Sequence, residues 1–466
     1  MGDITPSALH TPSLPVQNAT IPFWRIAPDD LDTHRTTESL PSECDILIIG
    51  GGYAGISAAY HLLASEKAKS RKGLDSLKVI LVEAREACSG ATGRNGGHIR
   101  PSVYTRLPSL IKFYGEDAAA ELCAFEDDHV QAIAELVKKE GIDCDFVVTR
   151  SFDIHTNRDD ANSAKKTFEE MKKKGVAVST LDTLQWTDEK DAEKVSQVKG
   201  CVGCFSFPAA QVSPYKLMMG LLRIANDTGK LNIQTNTPVT ALESSQEHSE
   251  KWIAHTPRGA ITAQNIIVAT NGYTASLLPE YKGKIVPCRG ICCHITIPEG
   301  IKAPDMTETY CLRLPKGSHD YLISRPDGSI VVGGARADFL PLRDEWYDNI
   351  DDSNLIEPAK NYFDTYMQDH FIGWENTGAR VNSIWTGIMG YNADGVPSVG
   401  AVPGKKGIWI SAGFDGHGMP VIWLTTKGLV DMIMDGTSFE DSGIPRIFKT
   451  TVDRLEDLRD DYAQKA

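Results

Sequence analysis

The 466-residue chain has no stretch that reads as a membrane span. Its most apolar run opens at Ile46, but a glycine cluster and the nearby His61, Glu66 and Lys67 interrupt it. A basic excess is missing too. Lys and Arg number 48 against 62 Asp and Glu, a formal net charge of −14, whereas a nucleic-acid surface needs a basic footprint. The opening MGDITPSALHTPSLPVQNATIPFW has neither a charged n-region nor an apolar h-region, so a signal peptide is not expected. The final Gln464-Lys465-Ala466 is not an address of the Ser-Lys-Leu type. These absences make a cytoplasmic enzyme the expectation. The 10 cysteines form no framework. Cys201-Val202-Gly203-Cys204 has no second pair, so no metal site is expected. Cys292-Cys293 lies in an alternating, strand-like segment, and packing thiols are the reading for both pairs. There is no internal repeat.

What is present is a strand, a glycine turn and a helix start. Ile46-Leu47-Ile48-Ile49 runs into G-x-G-x-x-G at Gly50, Gly52 and Gly55, and small and apolar residues follow at helical spacing. Gly50 permits the tight turn, Gly52 lets a pyrophosphate approach, and Gly55 lets helix and strand pack closely. The helix N-terminus then offers amides and a positive dipole end to phosphates. Lys78-Val79-Ile80-Leu81-Val82-Glu83 reads as a second buried strand ending in an acid placed for a ribose. The polar segment 66–76 between them reads as a surface extension. Six residues after Glu83 comes Ser89-Gly90-Ala91-Thr92-Gly93-Arg94-Asn95-Gly96-Gly97-His98. Four glycines, two hydroxyls, an Arg and an Asn together suit a flavin pyrophosphate and ring edge.

The length favours two domains, and 41% hydrophobic with 24% charged residues is ordinary for a globular protein. Residues 1–43, rich in Pro, Ser and Thr, read as an arm over the surface or as partly disordered. Helices are expected over 116–139, from Pro214 with Ser213 as N-cap, over 337–369 and from Val421 to Ile433. Strand signals lie at 176–184, 198–207 and 266–268. The segments 233–242 and 252–254 resemble short antiparallel strands, and Ile323 to Gly334 is a hairpin around Pro326-Asp327-Gly328. The nucleotide-binding pieces are split. Residues 44–144, 205–285 and 385–435 read as one discontinuous domain. Residues 145–204 and 286–384 read as an insertion, and 436–466 as a tail.

These motifs, with Ala269-Thr270-Asn271-Gly272-Tyr273-Thr274, the segment 387–400 and Gly413-Phe414-Asp415-Gly416-His417-Gly418-Met419, resemble the D-amino-acid-oxidase-like (DAO) family of FAD-dependent oxidoreductases. The branch of glycine oxidase, sarcosine oxidase and γ-glutamylputrescine oxidase is the most similar, and the resemblance covers roughly 44–435. It implies an α/β fold: a Rossmann-like FAD-binding domain of glutathione-reductase type with an inserted antiparallel-sheet substrate domain. It also implies that Gly50, Gly52, Tyr53, Ala54, Gly55, Glu83, Ala84 and Arg85 hold the ADP half of FAD. Ser89, Gly90, Ala91, Thr92, Arg94, Asn95, Gly96, Gly97 and His98 would line the pyrophosphate, ribityl chain and flavin edge. Val239 would contact adenine, and Ala269, Thr270 and Gly272 the ribose and phosphates. Asp394, Gly395, Gly413, Phe414, Gly416, His417, Gly418 and Met419 would close over the ribityl chain and pyrimidine end.

The departures bear on substrate. Met389 stands where glycine oxidase places a carboxylate-binding Arg and sarcosine oxidases a flavin-linked Cys. Pro420 stands where the latter place a carboxylate-binding Lys, and Val331 where they place a Lys that promotes reaction with oxygen. The expectation is noncovalent FAD and an amine lacking a nearby carboxylate, or one held by other residues. Tyr321 and Trp385 are the first candidates for an aromatic pocket, and Met389 and Arg289 join them as candidate catalytic residues. Arg313, Arg325, Arg336 and Arg380 are further options. The implied reaction is oxidation of a C–N bond by hydride transfer to flavin N5, with O2 as acceptor and hydrogen peroxide and an imine or carbonyl as products. The partners are then a small amine and O2, with neither nucleic acid nor membrane. Two alternatives stay open: a dehydrogenase of the same fold with another acceptor, and a D-amino-acid or N-methyl amino-acid oxidase with a relocated Arg.

Overall fold

The computed structural model describes residues 14–457, apart from 103, 247–249 and 315–317. Four parallel strands form the heart of the first sheet. Glu43–Ile49 lies between Val79–Val82 and Gly259–Val268, and Leu231–Gln234 extends the sheet beyond Val79–Val82. Ile408–Ala412 continues in parallel on the other side, with Ser398–Ala401 antiparallel at the edge. The central strands are buried on both faces, which is why they read as unbroken Ile, Leu and Val. The helices Tyr53–Leu63, Pro214–Asp227 and Ile422–Asp435 pack together against the sheet. The antiparallel pair Ala241–Ser244 and Trp252–Thr256 joins Gly259–Val268.

The second sheet has nine strands. Its order is Arg380–Asn392, Ile285–Thr296, Ile330–Gly334, His319–Ser324, Thr309–Arg313, Val147–His155, Gly203–Gln211 and His98–Ile99, with Gln185–Asp188 paired to Gly203–Gln211. It is antiparallel except where Val147–His155 runs parallel to Thr309–Arg313. The strands Gly203–Gln211 and Arg380–Asn392 belong to this sheet, so the expected switch points at 205 and 385 fall inside its strands rather than at their ends.

Several local expectations change. Residues 176–184 are helical over Val178–Thr183, not a strand. Leu231–Gln234 runs parallel to Val79–Val82, because buried Leu231 and Ile233 close the parallel layer. Residues 337–369 hold only short helical turns, at Arg336–Phe339, Arg343–Glu345, Glu357–Ala359 and Tyr366–His370. There Asp351 bonds the backbone and hydroxyl of Ser353, a turn-forming alternative to helix. Ser213 stands at the N-cap with Pro214 in the first turn, but its side chain makes no capping bond. The arm lies along the surface but sends two residues into the core. Trp24 and Leu31 are buried, and the Trp24 indole donates to the Asn95 carbonyl. Residues 1–13 lie outside the described residues. The expected tail is packed as well: Phe448 is buried and Arg454 pairs with Asp394. All 10 cysteines are buried with free thiols. Among the described residues, no helix is long and apolar enough to cross a membrane, and no group of three or more His, Cys, Asp or Glu is placed to hold a metal ion.

Candidate active site

A cavity of about 1540 Å³ runs past the C-terminal ends of the parallel strands, where open α/β sheets take their ligands. One end lies among Leu14, Pro15, Glu83, Thr237 and Val239. The other reaches the second sheet at Gly290, Cys292, Tyr321 and Met389.

The glycines act as their spacing predicts. Gly50 has φ +112°, and a Cβ there would lie 2.6 Å from the Ala269 carbonyl oxygen. At Gly55 it would lie 1.9 Å from the Gly50 oxygen, so no side chain fits between helix and strand. Gly52 caps the helix without a side-chain bond, which leaves first-turn amides for a ligand. The Tyr53 amide is the exception and donates to Thr92 Oγ1 at 2.8 Å. Tyr53, Ala54, Ala84, Arg85, Gly90, Ala91, Val239, Ala269, Thr270 and Gly272 all line the cavity. So do Phe414, Gly416, Gly418 and Met419. The Glu83 carboxylate accepts from the Gly51 and Arg85 amides at 2.7 and 2.9 Å, which orients it at the cavity wall. Ser89 Oγ and Tyr273 OH are buried without a partner in the protein. Such groups are costly to leave unsatisfied, and Tyr273, which lines the cavity, is placed for a polar ligand to satisfy it, whereas Ser89 does not line the cavity. The amides, the glycine cradle and the Tyr273 hydroxyl fit a dinucleotide.

Other expected contacts belong to the scaffold. The Arg94 guanidinium bonds the Ser89 and Thr386 carbonyls and Thr20 Oγ1, and sits beside Asp352. Burial lowers it to about 10. Its stem borders the cavity while its charge ties the arm to the second sheet. Arg85 likewise forms a bidentate pair with Asp352. Asn95 shapes its own loop, donating to the Thr92 carbonyl and accepting from the Gly97 amide. Gly96 and Gly97 are needed for packing, since a Cβ would strike Tyr321 and the Val212 carbonyl respectively. Asp394 is held by Arg454, and the Gly395 carbonyl accepts from Arg106, so neither faces the cavity. Gly413 packs on Asn392 and Ile285.

Among the catalytic candidates, Tyr321 and Met389 line the cavity. The Tyr321 hydroxyl lies 3.2 Å from Cys292 Sγ, and its ring fills the space left by Gly96 and Gly333. Trp385 does not line the cavity. It is fully buried and donates to the Arg94 carbonyl. Arg289 lies on the opposite face of the sheet, bonding the Glu345 and Asn354 carbonyls. Arg325 pairs with Asp145 and stacks on Phe23 and Trp24, and Arg380 is exposed.

Two residues that bear on the site were missed. Asn271, at φ 46°, lines the cavity and accepts from the Gly413 and Phe414 amides, joining two glycine turns. It stands inside the Ala269–Thr274 motif, so its signal was in view. Glu126 is buried on the helix Glu116–Glu140 and lies 3.0 Å from His417 Nε2. Burial raises its pKa, but His417 and Arg106 outweigh that and hold it at about 2. One acid in a long charged helix carries no sequence signal. His98, which was expected at the flavin edge, does not line the cavity. Burial and Arg100 push its pKa down to about 3, so it is neutral, and its Nε2 is buried without a protein partner.

The comparisons agree with this geometry. A family model described as "FAD dependent oxidoreductase" (DAO) matches residues 45–432. The chain is 24% identical over 392 residues to the gamma-glutamylputrescine oxidoreductase of Escherichia coli, covering 84% of this chain and 83% of the relative. It is 24% identical to the glycine oxidase of Bacillus licheniformis, covering 84% and 93% respectively. The crystal structure of glycine oxidase from Geobacillus kaustophilus superposes with a TM-score of 0.66 at 18% identity, covering 88% of this chain and 99% of that one. A model match across most of the chain, together with the shared fold and a cavity lined by the glycine cradle, places this protein in the DAO family of FAD-dependent oxidoreductases.

Proposed function

We propose that the protein oxidises a C–N bond of a small amine or amino-acid-like substrate, with O2 as electron acceptor. The carrying observation is that one cavity joins the glycine cradle to a pocket walled by Tyr321 and Met389. The named relatives support the amine class: one is a gamma-glutamylputrescine oxidoreductase, another a glycine oxidase.

FAD would supply the two-electron acceptor, and the protein orientation, desolvation and electrostatics. The amides after Gly52 would take the pyrophosphate, with the Tyr273 hydroxyl on the cavity wall offering a further polar contact. Glu83 would accept from the ribose, and Val239 would border the adenine. Tyr321 gives the substrate a rigid aromatic wall, fixed from behind by Gly333 and Gly96. Met389 adds a soft apolar surface. A neutral amine is needed before the C–H electron pair can leave, and an apolar, water-poor pocket favours that form. The imine product then hydrolyses to a carbonyl compound and an amine or ammonia.

Met389 offers no thiol for a covalent link, so acid precipitation is expected to release FAD into the supernatant. A yellow pellet would contradict noncovalent binding. One observation favours a second reading. No lysine lines the cavity among the described residues, and Val331 is buried on the Tyr321 face of the sheet. A slow acceptor reaction with oxygen in stopped flow, with fast reoxidation by a quinone, would identify a dehydrogenase.

A further inference from the structure

Resting on the reading of O2 as acceptor, we propose that Met389 is a modification site: hydrogen peroxide released in the cavity converts its thioether to the sulfoxide, which narrows the pocket and slows the enzyme. Three sulfur-bearing side chains line the cavity. Cys292 stands on the strand Ile285–Thr296, Met389 on Arg380–Asn392, and Met419 directly after the glycine turn at 413–418. They differ in how they are held. Burial pushes the Cys292 thiol up to about 11, so at neutral pH it carries almost no thiolate, the form that peroxide attacks. Met419 is buried, and its Sδ accepts from Asn95 Nδ2 at 3.6 Å. Met389 is half-buried, and its nearest polar contact, the Tyr391 hydroxyl, stands 3.9 Å from Sδ. A thioether needs no deprotonation, so exposure decides, and Met389 is the most exposed of the three.

Position supplies the oxidant. With the ADP half of FAD in the glycine cradle, the ring would take the end of the cavity at Gly290, Cys292, Tyr321 and Met389. Peroxide formed there meets Met389 before it dilutes into solvent, an advantage of proximity. A sulfur lone pair attacks one peroxide oxygen. The O–O bond breaks as the S–O bond forms. Sulfur loses two electrons and the peroxide gains them. The departing hydroxide takes the proton left on the new S–O group and leaves as water.

Packing sets the consequence. The Met389 methyl lies against Gly290, where a Cβ would be 2.8 Å from it. Its Sδ lies against Gly416, where a Cβ would be 3.3 Å away. These contacts crowd two sides of the side chain and leave the cavity to take the added oxygen. A soft apolar wall becomes bulkier and polar.

The test uses the holoenzyme and needs no substrate. The flavin is reduced anaerobically with dithionite, excess reagent is removed by gel filtration, and air is admitted with catalase in solution, over repeated cycles. Peptide mapping then reads the oxygen gained at each methionine. Met171, Met306 and Met434 are half-buried like Met389 but lie off the cavity, so they report peroxide arriving from bulk solvent. Sulfoxide at Met389 should exceed theirs by roughly tenfold or more. Reagent hydrogen peroxide, added to the oxidised protein without catalase, should bring that ratio down toward one. Equal oxidation of the four after the cycles, a reagent ratio as high as the cycled one, or oxidation of Met419 or Cys292 in place of Met389 would overturn the proposal. During amine turnover in air the wild type should slow progressively. Met389→Leu, measured against its own starting rate, should slow roughly fivefold less, and an equal decline would reject the effect on the enzyme. Peroxide release is measured separately without catalase. Reoxidation that releases none would reject the O2 reading, whereas peroxide release without Met389 sulfoxide would reject this inference alone.

Discussion

At the residue scale, the cavity depends on a few atoms that must be absent. A Cβ at Gly55 would sit 1.9 Å from a backbone oxygen, whereas at Gly90 it would meet nothing within 4 Å. Gly55→Ala is therefore expected to cost about 1–3 kcal/mol through overpacking and to purify without FAD. Gly90→Ala is expected to purify yellow. Urea unfolding and the flavin content of the purified proteins check the pair. Glu126 gives a second prediction at this scale. Its folded pKa, about 2, lies below the usual 4.5, because His417 and Arg106 outweigh its burial. A depressed carboxylate stabilises the fold fully above its unfolded pKa, and that contribution is lost as pH falls through the folded value. Between pH 4.5 and 2 the wild type should lose on the order of 3 kcal/mol from this group alone. Glu126→Gln should flatten Tm against pH over that window, and equal slopes for the two proteins would count against the assignment.

At the element scale, the second sheet presents one face to the reacting end. Gly333 is its sensitive point, because a Cβ there would lie 2.3 Å from the Tyr321 ring. Gly333→Ala should push that ring into the cavity, lower kcat/KM by roughly tenfold or more, and leave FAD content unchanged. Steady-state kinetics on flavin-normalised enzyme would show it. The legibility of the elements follows the same physics. The parallel strands were plain because burial on both faces demands unbroken apolar runs, and the glycine turns because close backbone approach demands glycine. Residues 176–184 misled because a short apolar run fits helix and strand alike. The substrate face was the least legible. It is assembled from residues far apart in sequence, Cys292, Tyr321 and Met389 on three different strands. Trp385 and Arg289 looked like pocket residues by chemistry alone: the register turns Arg289 to the opposite face, whereas Trp385 shares the cavity's face with Cys292 but is buried against the Arg94 carbonyl.

At the scale of the whole molecule, the two sheets and the N-terminal arm meet at one buried carboxylate. Asp352 holds Arg85 in a bidentate pair, lies beside Arg94, and offers its backbone carbonyl to Thr20. Removing its charge would strand two buried guanidiniums. Asp352→Asn is expected to lose about 3–5 kcal/mol, seen as a lower Tm and weaker FAD retention together. A fall in Tm with FAD retention intact would mean that the junction does not support the cofactor cradle. The sequence reading had placed the arm on the surface, since Pro, Ser and Thr carry no periodic signal. Much of it is exposed, but Trp24 and Leu31 anchor it in the core.

The central claim is that this cavity couples FAD to oxidation of an amine. The direct measurement is anaerobic mixing of the purified yellow protein with polyamines, N-methyl amines, ω-amino acids and small α-amino acids, following the flavin's visible absorption. Bleaching by amines that carry no α-carboxylate, with little or none by small α-amino acids, is the predicted result. Bleaching by small α-amino acids alone would contradict the substrate assignment, and a flavin that no amine in the panel reduces would contradict the claim itself.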